Sequence, residues 1–109
     1  MITPKKLAAL WFIFIVAVCL QVNAATVDTV LTHSVAMNRD IKAVIIRPDD
    51  YSASRKFPVL YLLHGFSGNY SDWVLKVPNV KKLADNYHII IVCPDGGFAS
   101  WYFDSPVSK

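Results

Sequence analysis

A chain of 109 residues holds one small domain at most, and 54% hydrophobic residues leave enough apolar matter for a core. The formal charge of +3 includes Lys5 and Lys6, so about +1 remains once the first residues are set aside. No Lys/Arg cluster with interleaved aromatics occurs, which excludes a nucleic-acid partner on electrostatic grounds.

The start has the parts of a secretory leader. Lys5 and Lys6 give a basic beginning, Leu7 to Leu20 is apolar throughout, and Val22-Asn23-Ala24 is a small-residue ending before Ala25. As a helix, the apolar run reaches only about 21 Å against a hydrocarbon core of about 30 Å. The expectation is a signal peptide over residues 1–24, cleaved after Ala24. The product is secreted or periplasmic, with no stable membrane span. An uncleaved anchor is the alternative. A lipoprotein signal through Cys19 is a further one, which Val18 disfavours because a small residue belongs there.

Residues 25–109 form the remaining unit. Thr26 to Ala36 alternates as a strand, Asn38-Arg39-Asp40 is a turn cluster, and Ile41 to Ile46 is a second strand closed by Arg47-Pro48. Together they predict an antiparallel hairpin. Asp49 to Lys56 is a polar loop. Val59 to Leu63 is apolar on both faces, as a central parallel strand covered by helices is. His64 to Asp72 reads as a loop. Val80, Leu83, Ala84 and Tyr87 share one helical face, with Asn79 as N-cap. His88 to Val92 is a fourth strand, and Pro94-Asp95-Gly96-Gly97 turns away from it. The β-β-β-α-β order predicts an α/β fold in which a hairpin leads into parallel strands. One helix cannot cover both faces of two apolar strands, so these elements make an incomplete sheet.

Chemistry concentrates in His64-Gly65-Phe66-Ser67-Gly68. Acyl transfer places negative charge on a carbonyl oxygen, and backbone N–H groups held nearby stabilise it. Glycines such as Gly65 and Gly68 let the backbone come close by removing side-chain bulk and permitting positive φ. In α/β-hydrolases one donor comes from the loop after the third strand. The loop here follows the third predicted strand, so the Phe66 N–H is the candidate donor. His64 reads as a loop-fixing residue rather than a base. His33 and His88 read as structural. The histidines show no metal-ligand spacing, and no cofactor motif is present. Cys19 falls in the leader, so Cys93 is the single cysteine after it and reads as a buried, unreactive thiol.

Three ordered blocks resemble the esterase D family of α/β-hydrolases, which includes S-formylglutathione hydrolases, tributyrin, feruloyl and acetylxylan esterases, and mycolyltransferases. The blocks are Phe57 to Gly65, Asn69-Tyr70-Ser71-Asp72-Trp73, and Ile89 to Gly97 followed by Ser100-Trp101-Tyr102. The resemblance spans about Ile41 to Lys109. It implies a serine esterase whose substrate is a small-molecule or glycan-linked ester, or a thioester. It also implies an oxyanion N–H from the residue after Gly65, loop support from Asp72 and Trp73, and Trp101 and Tyr102 near the acyl pocket. The sequence departs from the family in one respect. No G-x-S-x-G elbow occurs, and Asp95 and Asp104 precede any nucleophile, against the usual order of the triad. The expectation is an N-terminal portion of an esterase domain, inactive alone. The competing reading is a small exported binding protein that presents Trp73, Trp101 and Tyr102 to sugars or lipids. Oligomeric state is left open.

Overall fold

The computed structural model describes residues 1–8, 11, 23–100 and 102. Residues 4–8 are helical, and most of the expected leader lies outside the described residues. Among the described residues, no helix is long and apolar enough to cross a membrane.

The elements run β1 (Thr26–Ser34), β2 (Arg39–Arg47), β3 (Val59–Tyr61), α1 (Asp72–Lys76), α2 (Val80–Tyr87) and β4 (Ile90–Pro94). They form a four-stranded sheet in the order β1-β2-β4-β3. β1 and β2 are the expected hairpin, in register from Thr26 opposite Arg47 to Ser34 opposite Arg39. Asn38 takes φ 46° in its turn, a conformation that asparagine tolerates better than most side chains. β2 runs antiparallel to β4, with Ile46 opposite Ile91. β3 and β4 are parallel, with Leu60 opposite Ile91.

The core lies between the sheet and α2. Val44, Ile46, Ile91 and Cys93 meet Val80 and Ala84, and Ala25 joins them from just before β1. Cys93 is a free, buried thiol, as its apolar strand context suggests. Burial pushes its pKa up, because the thiolate would lose hydration.

The structure corrects several expectations. β4 lies between β2 and β3, and its alternate residues Ile91 and Cys93 are the buried ones. β3 pairs on one side only, so Val59, Leu60 and Tyr61 are 49%, 44% and 65% exposed. Its regular part is shorter than Val59 to Leu63, although the Leu62 N–H still donates to the Val92 carbonyl at 2.9 Å. The fourth strand starts later than His88, because His88 ends α2 in the left-handed conformation at φ 51°. Asn79 does occupy the N-cap position, but its side chain makes no capping hydrogen bond. On α2 only Val80 and Ala84 are buried, while Leu83 and Tyr87 are exposed. A two-turn helix on a narrow sheet buries a single i, i+4 pair. The short helix α1 lies partly where a loop was expected.

Candidate active site

Because β3 and β4 are parallel neighbours, their carboxyl ends lie side by side. In open α/β sheets ligands bind beyond those ends. The loop after β3 holds His64 to Gly68, and the loop after β4 holds Asp95 to Gly97.

His64 joins the two loops. Its side chain is buried, the residue being 7% exposed. The Gly96 N–H donates to His64 Nε2 at 3.0 Å. An N–H can only donate, so Nε2 is the unprotonated nitrogen and Nδ1 carries the hydrogen. Nδ1 then donates to the Gly65 carbonyl at 2.8 Å. Both ring nitrogens are engaged with backbone, which leaves neither for a substrate proton. Asp95 Oδ1 lies 3.5 Å from Nε2 and accepts the Gly97 N–H at 2.9 Å.

The Gly65 carbonyl takes a second donor, the Gly68 N–H at 3.0 Å. Two donors on one carbonyl fix the Gly65–Phe66 peptide plane. In a trans peptide the C=O and N–H point in opposite directions. A carbonyl held against His64 and Gly68 therefore turns the Phe66 N–H to the other side. Among the described residues, that N–H meets no acceptor. Ser67 follows at φ 60°, and its N–H donates to the Phe98 carbonyl at 2.8 Å. The Phe66 and Phe98 rings meet edge-on, 5.5 Å apart.

The two glycines play different parts. A Cβ on Gly68 would fall 2.7 Å from Asp72 Oδ2, 3.0 Å from His64 Nδ1 and 3.1 Å from the Gly65 carbonyl. A Cβ on Gly65 would meet nothing within 4 Å, and Gly65 has no positive φ. Close packing within the loop thus requires a glycine at 68, and the expectation of positive φ at these glycines is not met. The left-handed residue in the loop is Ser67.

The Asn69 to Trp73 block braces this loop. Asn69 Oδ1 accepts the Ser71 N–H at 2.8 Å and the Ser71 hydroxyl at 2.6 Å, which turns the chain into α1. Trp73 Nε1–H donates to the Leu63 carbonyl at 3.2 Å. Asp72 accepts from Lys76 at 2.8 Å, one helical turn on. The Lys76 ammonium holds the Asp72 carboxyl below its ordinary range, against a smaller upward push from burial.

Tyr102 covers the other loop. A Cβ on Gly96 would fall 2.4 Å from its ring, so only glycine lets the ring lie there. The Tyr102 and His64 rings are 5.6 Å apart, edge to face. Burial pushes the Tyr102 hydroxyl up, opposed by the backbone of His64 and Gly96. Trp101 lies outside the described residues. The structure thus brings His64, Gly65, Phe66, Gly68, Asp72, Trp73 and Tyr102 into one neighbourhood. Sequence reasoning missed Gly96 as the donor to His64 and Phe98 as the acceptor for Ser67. An Asp-Gly-Gly run leaving a buried strand is the available sign of the first, and nothing in the sequence points to the second.

Comparison with known proteins gives the family and the fold. The Esterase family model matches residues 34–109. Esterase Rv1288 of Mycobacterium tuberculosis is 38% identical over 79 residues, which covers 72% of this chain and 17% of that protein. A ferulic acid esterase structure superposes with a TM-score of 0.70 at 27% identity, covering 81% of this chain and 39% of its own. A ferulic acid esterase from Anaeromyces mucronatus, solved with ferulic acid, gives a TM-score of 0.61 at 24% identity over 79% of this chain and 34% of that one. An S-formylglutathione hydrolase from Staphylococcus aureus shares the fold, with a TM-score of 0.56 at 16% identity over 67% of this chain and 31% of its own. The chain spans less than half the length of each of these relatives. On the family match and the shared sheet, this chain belongs to the Esterase family, on the α/β-hydrolase fold.

Proposed function

We propose that this chain supplies the oxyanion side of a serine esterase active site, with the Phe66 N–H as one donor. The observation that carries this reading is the Gly65–Phe66 peptide. Its carbonyl is held by His64 and Gly68, and its N–H meets no described acceptor. Open space lies over Gly65, where a Cβ would touch nothing. When a serine attacks an ester carbonyl, the oxygen gains charge and moves toward such a donor. One donor is worth about 2.7–4 kcal/mol of barrier.

His64, Gly68, Asp72 and Trp73 hold the loop in this reading. Tyr102 borders the acyl pocket in the same reading. The nucleophile, acid and base belong to sequence outside these 109 residues, since no G-x-S-x-G segment occurs in them. The whole protein would form an acyl-serine and release it with water. Ferulic acid in one related esterase supports acyl esters as the substrate class, glycan-linked esters included. The basic start and apolar run support a leader over residues 1–24, removed after Ala24 and directing the protein out of the cytoplasm.

The test is to read the source DNA past the Lys109 codon in all frames. Assembly of the extended protein and labelling with a fluorophosphonate follow. An elbow serine that labels, with labelling lost when that serine is replaced by alanine, supports the reading. No elbow in any frame would sink it. A second arm changes Phe66 to proline, which removes the N–H. It should lower kcat on short acyl esters by about 10²–10³-fold.

A further inference from the structure

Ala25 is where burial begins. Asn23 and Ala24 are exposed, whereas Ala25 is 9% exposed and belongs to the core. Its backbone nitrogen donates to Asp85 Oδ2 at 3.2 Å. The other oxygen, Oδ1, accepts the Asp49 N–H at 2.8 Å, so the carboxylate is held from two sides. Asp85 lies in the last turn of α2, which carries no basic residue. The partial negative charge at a helix C-terminus disfavours a carboxylate there. Among the described residues, no cationic side chain forms an ion pair with Asp85.

We propose that removal of the leader creates an internal ion pair between the new α-ammonium of Ala25 and Asp85. The inference rests on the proposed cleavage after Ala24 and is independent of the esterase chemistry. A leader peptidase adds water across the Ala24–Ala25 peptide. The C–N bond breaks, Ala24 leaves as a carboxylate, and the Ala25 nitrogen takes up protons to become an ammonium. The atom that already donates to Asp85 thereby gains a full charge and two more N–H groups. Processing converts a single backbone hydrogen bond into a charge-assisted one and supplies the cation that the end of α2 lacks. The first residue of the mature chain is then both a core residue and an electrostatic anchor between β1 and α2.

The neighbouring charges leave this pairing open. A cavity of about 290 Å³ beside Asn23, Ala24 and Thr26 is lined in part by Arg47, Asp49 and Tyr51. Arg47 is already paired with Asp28 and stacked 5.2 Å over the Tyr51 ring. Asp49 adds negative charge that also favours the ammonium, so the loss of the raised half-point in Asp85→Asn is what assigns the partner. Burial without a partner would lower the α-amine pKa, while the ion pair raises it. The sign of the shift therefore separates the two.

The full chain is exported with its own leader, and the N-terminus of the soluble product is sequenced. Its amines are then acetylated by a brief pulse over a range of pH and read by mass spectrometry, with exposed Lys81 as reference. Half-maximal labelling of Ala25 is expected about one pH unit above the ordinary α-amine value of about 7.7–8.0, a tenfold slower reaction near neutrality. Asp85→Asn should return it to or below the ordinary value while Cys93 stays closed to iodoacetamide. A first residue other than Ala25 overturns the proposal through its leader. A start at Ala25 with a half-point at or below the ordinary value overturns it through the ion pair. So does a raised half-point that D85N leaves unchanged with Cys93 still protected. If D85N exposes Cys93, Asp49→Asn is read instead: a raised half-point that survives it supports Asp85, and one that falls to the ordinary value overturns the pairing.

Discussion

Gly65 and Gly68 sit in one loop, yet a methyl group would meet different surroundings at each. At 68 it collides with Asp72, His64 and a carbonyl, whereas at 65 it enters open space. Gly68→Ala should therefore lower stability by about 1–3 kcal/mol, and Gly65→Ala should stay within about 0.5 kcal/mol, both read by urea unfolding of the exported chain. Equal effects would refute the packing argument. Cys93 is buried with its thiol pushed toward the neutral form. Iodoacetamide should modify it only in denaturant, which mass spectrometry reads directly. Asp72 gives a pH prediction. Its folded carboxyl is depressed below the ordinary value of 3.8, chiefly by Lys76. The associated stability is complete above the unfolded value and fades as pH falls through the lower folded one. Lys76→Met should flatten that acid-side loss in a midpoint-against-pH series. The loop residues themselves were legible, because a buried strand running into His-Gly-x-x-Gly leaves few conformations. Their roles were less so. Which glycine is sterically required depends on Asp72 folding back over the loop, which spacing does not encode.

The hairpin and α2 were readable as elements. β1 alternates, a polar turn cluster separates it from the apolar β2, and Val80 and Ala84 lie one turn apart. α1 was not, because it owes little to periodicity. The Asn69 turn starts it, and the Trp73 bond to Leu63 ties it down. Both are contacts of particular side chains. β3 was legible as well: a strand apolar on both faces suits the inside of a complete sheet, and in an incomplete one it is left at the edge. Its outer edge presents unpaired backbone beside Val59, Leu60 and Tyr61, an invitation to pair with another chain. Leu60→Lys should raise the soluble fraction of the expressed chain several-fold by placing a charge on that edge. An unchanged fraction would show that aggregation starts elsewhere.

At the scale of the whole molecule, the described residues form one part of an α/β-hydrolase sheet. The matched part of the chain covers 39% of one related ferulic acid esterase, and the family match runs from residue 34 to residue 109. Fold class was legible because three ordered blocks carry it, while substrate was not, since the chain spans less than half the length of its relatives. The 109-residue chain alone should neither bind a fluorophosphonate nor turn over short acyl esters, and gel fluorescence with a spectrophotometric assay checks both. His64 has a consequence of another kind. Its imidazole is a rigid coupling between two loops, so the aim of the Phe66 N–H is set in part by the backbone after β4. Under the proposed oxyanion role, a designer who reshapes the Gly96 loop to admit a larger acyl group would retune turnover along with selectivity. The two properties would then share one hinge pin, and that loop would not let them evolve separately.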